Sequence, residues 1–259
     1  MEENQGYAAT QENCGPSNSY FCWLATDYAS VVDWYGVTHP SLPNYLAITS
    51  GDTQGCSSDD CGSNTAANLG QQLTAADIPW VAYMESMPTA CDQSDAGEYA
   101  YKHNPFPHYS DLSAAVCQAH DLPYPPPAGL LSALDGPNPP DFVWITPNLI
   151  DDMHDGSVSQ GNAWLQANLA PVLLSPWFLD YRSTVIVTED EGSGGSCCGG
   201  AGQGGQIPDL IISANARGKG PVAITGDHYG TLWTLEQQYQ LPALGAASAG
   251  NGNLSSLFG

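Results

Sequence analysis

The feature that most restricts the fold of this chain is a set of short runs that are apolar almost throughout. Four such runs are predicted to be β-strands, at residues 79–84, 142–146, 183–188 and 209–213. Because apolar and polar residues do not alternate in them, the strands are expected to be covered on both faces. Helix-like segments lie around these runs, at residues 66–76, 161–174 and 231–239. This order predicts an α/β fold with a doubly wound, mainly parallel sheet and helices on both faces.

The length and composition favour one large domain over residues 1–259, since 42% of the residues are hydrophobic and can form a sizeable core. Two stretches interrupt the regular pattern. Residues 121–141 are rich in proline and are predicted to form a surface excursion. Residues 192–205 are rich in glycine, and two interpretations stay open: a linker between domains, or a loop beside a site that Cys197 and Cys198 stiffen.

The charge of the chain limits its partners. Asp and Glu number 27 against 4 Lys and Arg, which gives a formal net charge of -23. So few cations cannot neutralise a run of phosphates, so nucleic acid and anionic membranes are not expected as electrostatic partners. No apolar run is long enough to cross a bilayer, and stable membrane insertion is not expected.

Eight cysteines indicate disulfides and an exported protein. Three local pairs are apparent, Cys14/Cys22, Cys56/Cys61 and Cys91/Cys117, together with the adjacent Cys197 and Cys198. Spacing alone does not fix the connectivity. No signal peptide is recognisable in these residues, so a secreted location requires a leader outside them.

Acidic and histidine side chains follow the predicted strands. The run that ends at residue 146 leads into a first cluster, and the run that ends at residue 188 leads into a second. A third follows the run at 209–213 after a loop. The members are Asn148, Asp151, Asp152, His154 and Asp155; Glu189, Asp190 and Glu191; and Asp227 and His228. Ligands of open α/β sheets bind at the carboxyl ends of the strands, so one shared site is predicted there, although solvated turns are the simpler explanation of any single cluster.

Ser41 stands at a predicted helix start, with Pro43 in the first turn and apolar residues after it. One interpretation is that Ser41 only caps the helix. The other is that the helix N-terminus holds a phosphate group and the Ser41 hydroxyl attacks phosphorus. Alone, the segments Glu3-Asn4 and Lys102-His103 carry little information.

Six segments together resemble one family: ENQGY, HPSLPNYLAITSG, YKHNPF, DDMHDGS, TEDEG and DHYGTLWTLEQ, in this order. They resemble the phosphoesterase family of bacterial and fungal acid phosphatases and phospholipases C, whose secreted members are often labelled phosphatidylinositol-3-phosphatases. The family belongs to the alkaline-phosphatase-like superfamily, so the resemblance implies a doubly wound α/β fold. Relatives have an apolar strand directly before the Glu-Asn pair, whereas only Met1 and Glu2 precede it here, so the first strand is expected to be truncated.

The resemblance also implies roles for individual residues. Ser41 is implied as the nucleophile and Asn44 as a donor to a phosphoryl oxygen. The remaining implied residues are His154 and His228 near the leaving group; Lys102, His103 and Asn104 as substrate contacts; and Glu3, Asn4, Asp190, Glu191 and Asp152 as metal ligands, with Asp152 also near the leaving group.

The scarcity of Lys and Arg indicates a bound divalent metal, because phosphoryl transfer needs positive charge at the equatorial oxygens. An oxygen-donating set suits Ca²⁺, Mg²⁺ or Mn²⁺, and adding a histidine makes Zn²⁺ plausible.

The expected function is a secreted phosphomonoesterase that acts on a small phosphate ester or lipid phosphate, including phosphoinositides, through a phosphoserine. A phospholipase C-type diesterase is the first alternative, with Trp23, Trp34, Tyr35 and Tyr124 as a possible apolar rim or as core. A non-catalytic, metal-binding secreted protein is the second.

Overall fold

The computed structural model describes residues 1–180, 183–192 and 203–259. Its strands are β1 (Ala29–Tyr35), β2 (Trp80–Met84), β3 (Asp121–Pro123), β4 (Phe142–Thr146), β5 (Val185–Thr188), β6 (Gln206–Ile212) and β7 (Gly220–Asp227). Its α-helices are α1 (Ser19–Asp27), α2 (Ser41–Ser50), α3 (Leu69–Ala75), α4 (Ala114–His120), α5 (Pro127–Leu134), α6 (Val158–Val172), α7 (Pro176–Asp180) and α8 (His228–Tyr239). Residues 193–202, with Cys197, Cys198 and most of the glycine-rich stretch, lie outside the described residues.

The strands form two sheets, ordered β5-β6-β1-β7 and β3-β2-β4. The second sheet is entirely parallel. In the first, β1 and β7 are parallel, whereas β6 runs antiparallel to both β1 and β5. Helices cover the sheets, so the predicted α/β class with a doubly wound, mainly parallel sheet is confirmed.

The reversed direction of β6 corrects one step of the sequence argument. Its carboxyl end lies at the edge of the sheet opposite to that of β5, so no site residue can follow directly from it. Asp227 and His228 instead follow β7, a strand that the sequence reading missed. The shared edge is therefore built from β1, β4, β5 and β7.

The proline-rich stretch at residues 121–141 is not a simple surface excursion. It contains β3, which pairs in parallel with β2, and the helix α5. Asp121 is fully buried, and Leu130 and Leu134 of α5 pack in the core. The fixed φ angle of proline suits the first position of a helix, where the missing N–H costs no hydrogen bond. A high proline content therefore does not exclude a helix, and the prediction of a surface excursion was wrong for this reason.

The first three residues connect the two sheets. The α-amine of Met1 donates to the carbonyl of Ile145 in β4. On the other side, Glu2 forms a parallel bridge with Glu189, and its N–H donates to the carbonyl of Thr188 at 2.8 Å. The main chain at residues 1–3 thus runs between the carboxyl ends of β4 and β5.

Beyond this short junction, a cavity of about 460 Å³ separates β4 from β5. The cavity is lined by both strand edges, Phe142–Ile145 and Val185–Thr188, together with apolar side chains that include Leu165 and Leu235. The remaining edges of the two strands make no ladder with each other.

Helix α2 lies in the core and carries Ser41 at its first position. All ten of its residues are buried. Leu42, Tyr45, Leu46 and Ile48 pack in one cluster with residues of β2, β4 and α8. Because it is packed on every side, the helix fixes the position of its N-terminus at the carboxyl edge of the sheets.

Three disulfides form as the sequence indicated: Cys14–Cys22, Cys56–Cys61 and Cys91–Cys117. Disulfides persist in oxidising compartments, and these three are consistent with such a location. Among the described residues, no helix combines the length and the apolar character needed to span a bilayer.

Asp209 of β6 is predicted to make stability depend on pH. Its side chain is fully buried and neither carboxylate oxygen has a hydrogen-bond partner among the described residues. Burial raises its pKa to about 8, whereas an unfolded Asp titrates near about 4. Between these values the folded chain holds a proton that the unfolded chain releases, so stability falls as pH rises, by up to about 1.4 kcal/mol per pH unit.

Urea unfolding of the wild type and of Asp209→Asn at pH 5, 6, 7 and 8 measures this effect. The variant is expected to lose stability less steeply with pH than the wild type. Asp111→Asn, at an exposed position, is the control and is expected to follow the wild type. Equal slopes for wild type and Asp209→Asn would contradict the prediction.

Candidate active site

Glu3 is the centre of a cluster of polar side chains at the junction of the two sheets. Its carboxylate is fully buried. One oxygen accepts from the hydroxyl of Ser41 at 3.1 Å and the other from the hydroxyl of Tyr45. Burial, reinforced by the nearby charges of Asp190 and Asp152, raises the pKa of Glu3 well above its usual value. When this carboxyl is ionised, its raised pKa makes it a stronger proton acceptor for a neighbouring hydroxyl than an ordinary carboxylate.

Ser41 is the first residue of α2, and Pro40 occupies the capping position. The sequence had placed Ser41 itself at the cap. The difference matters chemically, because the Ser41 hydroxyl is not used by the backbone of its own helix and instead faces Glu3. Its side chain is almost fully buried, at 2% exposure.

The ring of His103 lies between two carboxylates. Its Nδ1 is 3.1 Å from an oxygen of Asp152, and its Nε2 is 3.3 Å from the Oε2 of Glu3. The ring stacks on Tyr45 with centroids 5.6 Å apart, which fixes its plane. Burial, with the positive charges of Lys102 and His154, lowers the pKa of His103 well below its usual value.

A neutral His103 that donates from Nδ1 to Asp152 presents a lone pair at Nε2. That lone pair faces a carboxylate oxygen of Glu3, and Nε2 has no hydrogen-bond partner. Two acceptors that face each other need a cation or a proton between them. A carboxylate behind a histidine is also the usual arrangement that orients a metal-binding imidazole.

The donor set around this point fits a divalent cation. The ligand atoms of Glu3, His103 and His154 all lie within 4.8 Å of one another. Asp190 is fully buried, with one carboxylate oxygen unpartnered, and burial raises its pKa to about 6. Unpaired buried carboxylates are costly unless a positive charge compensates them. The mixed oxygen and nitrogen donors suit Zn²⁺ or Mn²⁺ as well as harder ions.

Three of the implied metal ligands serve other purposes in the structure. The backbone N–H of Asn4 donates to Asp190 at 3.0 Å and its side-chain amide donates to Glu3 at 3.1 Å. Glu191 pairs with the Nδ1 of His39 at 2.7 Å. The carboxylate of Asp152 pairs with the Nδ1 of His103 at 3.1 Å, and its backbone carbonyl accepts from the N–H of Glu3 at 2.8 Å. These side chains hold the candidate ligands in position.

Asn44 differs from its implied role as a donor to the phosphoryl group. Its Oδ1 accepts from the N–H groups of Val37 and Thr38, at 2.8 and 3.1 Å. Its amide donates to the carbonyls of Thr38 and Pro40, at 2.9 and 3.1 Å. With its groups occupied in this way, Asn44 fixes the turn that leads into Ser41.

His228 and Asn104 also lie behind the site. His228 is fully buried, and its Nε2 is 2.5 Å from the backbone carbonyl of Asp190. Asn104 is fully buried, and its amide donates to Asp121 at 2.8 Å and to the hydroxyl of Tyr99 at 3.1 Å. Within the described residues, the hydrogen bonds of these two side chains go to Tyr99, Asp121 and the carbonyl of Asp190, and not to Glu3 or Ser41.

Lys102 is a cation at the solvent side of the cluster. Its Nζ is 3.1 Å from the Nε2 of His154 and donates to Asp59 at 3.0 Å. Burial opposes the charged form, but the hydrogen bond and charge of Asp59, with the charges of Glu3 and Asp190, raise the pKa of Lys102 above its usual value. Lys102 therefore stays protonated and can attract an anion.

The proposed apolar rim does not form. Trp34 is fully buried in β1 and donates to the hydroxyl of Thr231. Tyr124 donates to Asn168 of α6, and Trp23 stacks on Tyr20 of α1. Tyr35 is buried in β1. These aromatic residues belong to separate parts of the fold and do not enclose the site.

Three site residues were not named by the sequence argument. Tyr45 and His39 lie inside the segment HPSLPNYLAITSG that also contains Ser41. Their short distance from Ser41 along the chain could have indicated that they belong to the site. Asp59 lies in a polar loop between Cys56 and Cys61 and had no such signal.

The structure is an α/β fold with a carboxylate-rich centre at the carboxyl edge of its sheets, and solved structures share this fold. A protein of the alkaline phosphatase superfamily from Vibrio parahaemolyticus aligns with a TM-score of 0.55 at 12% identity, over 86% of this chain and 60% of that one. Murine ectonucleotide pyrophosphatase/phosphodiesterase 5, solved in an inactive form with AMP, aligns with a TM-score of 0.59 at 10% identity, over 100% of this chain and 98% of that one.

The sequence narrows this class to one family. The model of the Phosphoesterase family matches residues 12–242, and the chain belongs to that family. It is 34% identical to the phosphatidylinositol-3-phosphatase of Mycobacterium tuberculosis, over 96% of this chain and 78% of the relative. It is 26% identical to an acid phosphatase of Aspergillus fumigatus, over 88% of this chain, and spans 52% of that relative's length. The resemblance to the family is thereby confirmed, and with it the assignment as a phosphoric ester hydrolase.

Proposed function

We propose that this chain is a secreted, metal-assisted phosphomonoesterase in which Ser41 attacks phosphorus. The observation that carries the proposal is the placement of the Ser41 hydroxyl against the buried carboxylate of Glu3, at the N-terminus of α2. A nucleophile, a proton acceptor and a set of cation ligands meet there. The family membership and the mycobacterial relative's name support a phosphate ester as the substrate.

The first half of the reaction uses residues on both sides of the cluster. Ser41 Oγ forms a bond to phosphorus while its proton passes to Glu3, and the bond from phosphorus to the leaving oxygen breaks. His154, whose ring is partly exposed beside Lys102, gives a proton to the leaving oxygen. In the second half a water molecule gives its proton to His154 and cleaves the phosphoserine, and Glu3 returns the proton to Ser41.

Glu3, His103 and Asp190 are the residues that would hold a divalent cation, which leaves His154 free to exchange protons. Such a cation lowers the pKa of a nearby hydroxyl and neutralises charge on phosphoryl oxygens. Asp152 orients His103, and the carbonyl of Asp190 holds His228 close to the turn after β5. Lys102 adds the positive charge that the chain itself supplies.

The substrate class that we propose is a small phosphate monoester or the phosphate of a lipid head group. The name of the mycobacterial relative motivates the inclusion of phosphoinositides. Three disulfides support an oxidising, extracytoplasmic location for this activity. The dispersed aromatic residues give no observation in favour of a phospholipase C-type rim.

Hydrolysis of p-nitrophenyl phosphate and of bis(p-nitrophenyl) phosphate, with and without EDTA, tests the proposal. The expected result is turnover of the monoester that EDTA abolishes and that added Zn²⁺, Mn²⁺, Mg²⁺ or Ca²⁺ restores. Preference for the diester would favour the phosphodiesterase alternative. Binding of a metal by a folded sample without turnover of either ester would favour a non-catalytic, metal-binding protein.

The pH profile is a further check on the same assay. Glu3 and Asp190 must lose their protons to bind a cation; burial raises the pKa of Glu3 well above its usual value and that of Asp190 to about 6. The metal concentration needed for half-maximal activity is therefore expected to rise as pH falls from 7 to 5. A metal requirement that does not change over this range would contradict the assignment of these carboxyls.

A further inference from the structure

The two groups best placed to bind a phosphoryl oxygen are already occupied by an anion of the chain. The backbone N–H of Leu42, in the first turn of α2, donates to the Oδ1 of Asp59 at 3.1 Å. The ammonium group of Lys102 donates to the other oxygen, Oδ2, at 3.0 Å. A helix N-terminus and a lysine are the groups that proteins use to hold phosphate.

Asp59 reaches this position from a loop on the solvent side. The loop follows α2 and is closed by the disulfide Cys56–Cys61. The side chain of Asp59 keeps 33% of its exposure, whereas that of Glu3 has none. Asp59 therefore covers the site from outside and is not part of the buried cluster.

The space under Asp59 carries further signs of a missing ligand. The buried Nε2 of His103 and one buried oxygen of Asp190 have no hydrogen-bond partner. Asp59 thus adds a third carboxylate to a site that already holds the buried carboxylates of Glu3 and Asp190.

We propose that Asp59 is an internal substitute for the phosphoryl group, which the substrate must displace from Leu42 and Lys102. The proposal rests on the proposed function and specifies how the same site selects its substrate. A carboxylate has two oxygens and one charge, so a phosphate dianion with three oxygens is the stronger ligand for a helix terminus and an ammonium group. Asp59 acts as a tethered competitor that lowers the affinity for every phosphate and excludes weaker anions, such as carboxylates.

Replacing Asp59 with Asn tests this inference, because Asn keeps the ability to accept a hydrogen bond from the helix while removing the charge. Binding of inorganic phosphate is measured by calorimetry, and KM and kcat are measured with p-nitrophenyl phosphate. Asp59→Asn is expected to bind phosphate about tenfold more tightly, which corresponds to about 1.4 kcal/mol, and to lower KM by a similar factor, since the variant removes a like charge next to the phosphate. The value of kcat is expected to stay within about threefold, because Asp59 leaves before the chemical step.

Asp60→Asn is the matched control, since Asp60 is the next residue of the same loop and is exposed. It is expected to match the wild type in phosphate affinity, KM and kcat. Circular dichroism and thermal unfolding establish that both variants are folded. If Asp59→Asn fails to fold, Asp59→Ser, which also caps a helix without charge, replaces it in the same measurements.

Unchanged or weaker phosphate binding by the folded, uncharged variant would overturn the inference and leave Asp59 as a helix cap alone. A fall in kcat of about 100-fold would also overturn it, because Asp59 would then belong to the catalytic groups. If no chain hydrolyses the ester, the proposed phosphatase function fails. Calorimetry with phosphate still decides the role of Asp59 in that case, since binding needs no turnover.

Discussion

Ser41→Ala is expected to lower kcat for p-nitrophenyl phosphate by about 10³-fold or more, because it removes the proposed nucleophile, the hydroxyl at the first position of α2 that donates to Glu3. Tyr45, the other hydroxyl on Glu3, is a weak substitute, since burial and the charge of Glu3 raise its pKa well above the usual value. The loss of one hydrogen bond is expected to change Tm by only about 2–4 °C. Steady-state kinetics and thermal unfolding of the same samples measure both quantities.

Ser50→Ala is the matched control for this variant. Ser50 is a buried serine at the other end of the same helix, and its hydroxyl donates to the carbonyl of Leu46 at 2.8 Å. It is expected to keep wild-type kcat with a similar change in Tm. Phosphate-ester turnover by Ser41→Ala at a rate near the wild type would remove Ser41 as the nucleophile.

An apolar extension before Met1 is expected to stabilise the protein by several kcal/mol and to raise Tm by about 10 °C or more. The cavity of about 460 Å³ between β4 and β5 is bordered by two strand edges that make no ladder with each other. Five β-branched residues, matched to the five residues of β4, would add main-chain hydrogen bonds on both sides and bury apolar side chains. The extension also turns the α-amine of Met1, whose pKa burial lowers, into an uncharged amide.

Two extensions of equal length separate strand pairing from a general effect of added residues. One consists of Gly and Ser, and the other is apolar with Pro at its centre, which cannot join both ladders. Neither is expected to raise Tm as the apolar segment does. Equal Tm values for all three variants would show that the cavity does not accept a strand.

The sequence was sufficient for the strands that are covered on both faces. The runs that became β2, β4 and β5 are apolar throughout, and such runs have few other ways to fold. β1 was missed because Ser30 and Asp33 interrupt its apolar residues, and β7 because it contains Gly220 and Pro221. The antiparallel direction of β6 depends on its connections and pairing, which its composition does not encode.

For the site, the residue types indicated which side chains lie close together, but not which of their polar atoms remain available to a ligand. Ser41, His103 and Asp190 lie around Glu3. Of these, only Asp190 belonged to the clusters predicted at the sheet edge, whereas Ser41, His103 and Glu3 were implied by the family resemblance. Whether an amide or imidazole faces a ligand or the backbone depends on hydrogen bonds made after folding, and this decided the placement of Asn44 and His228. No pattern in the neighbouring sequence shows whether the polar atoms of a side chain will already be hydrogen-bonded in the folded protein.

The short segment at residues 1–3 implies how the enzyme would lose activity. In many enzymes the active site is built on loops that open before the core does, so inactivation precedes unfolding. Here Glu3 accepts a hydrogen bond from the hydroxyl of Ser41. The two residues before it hold the sheets together, because Glu2 hydrogen-bonds to β5 and Met1 hydrogen-bonds to β4. Separation of the two sheets would therefore also move the carboxylate of Glu3 away from Ser41. Heat inactivation and global unfolding are therefore expected to be one cooperative event, and residual activity would report the fraction of molecules still folded.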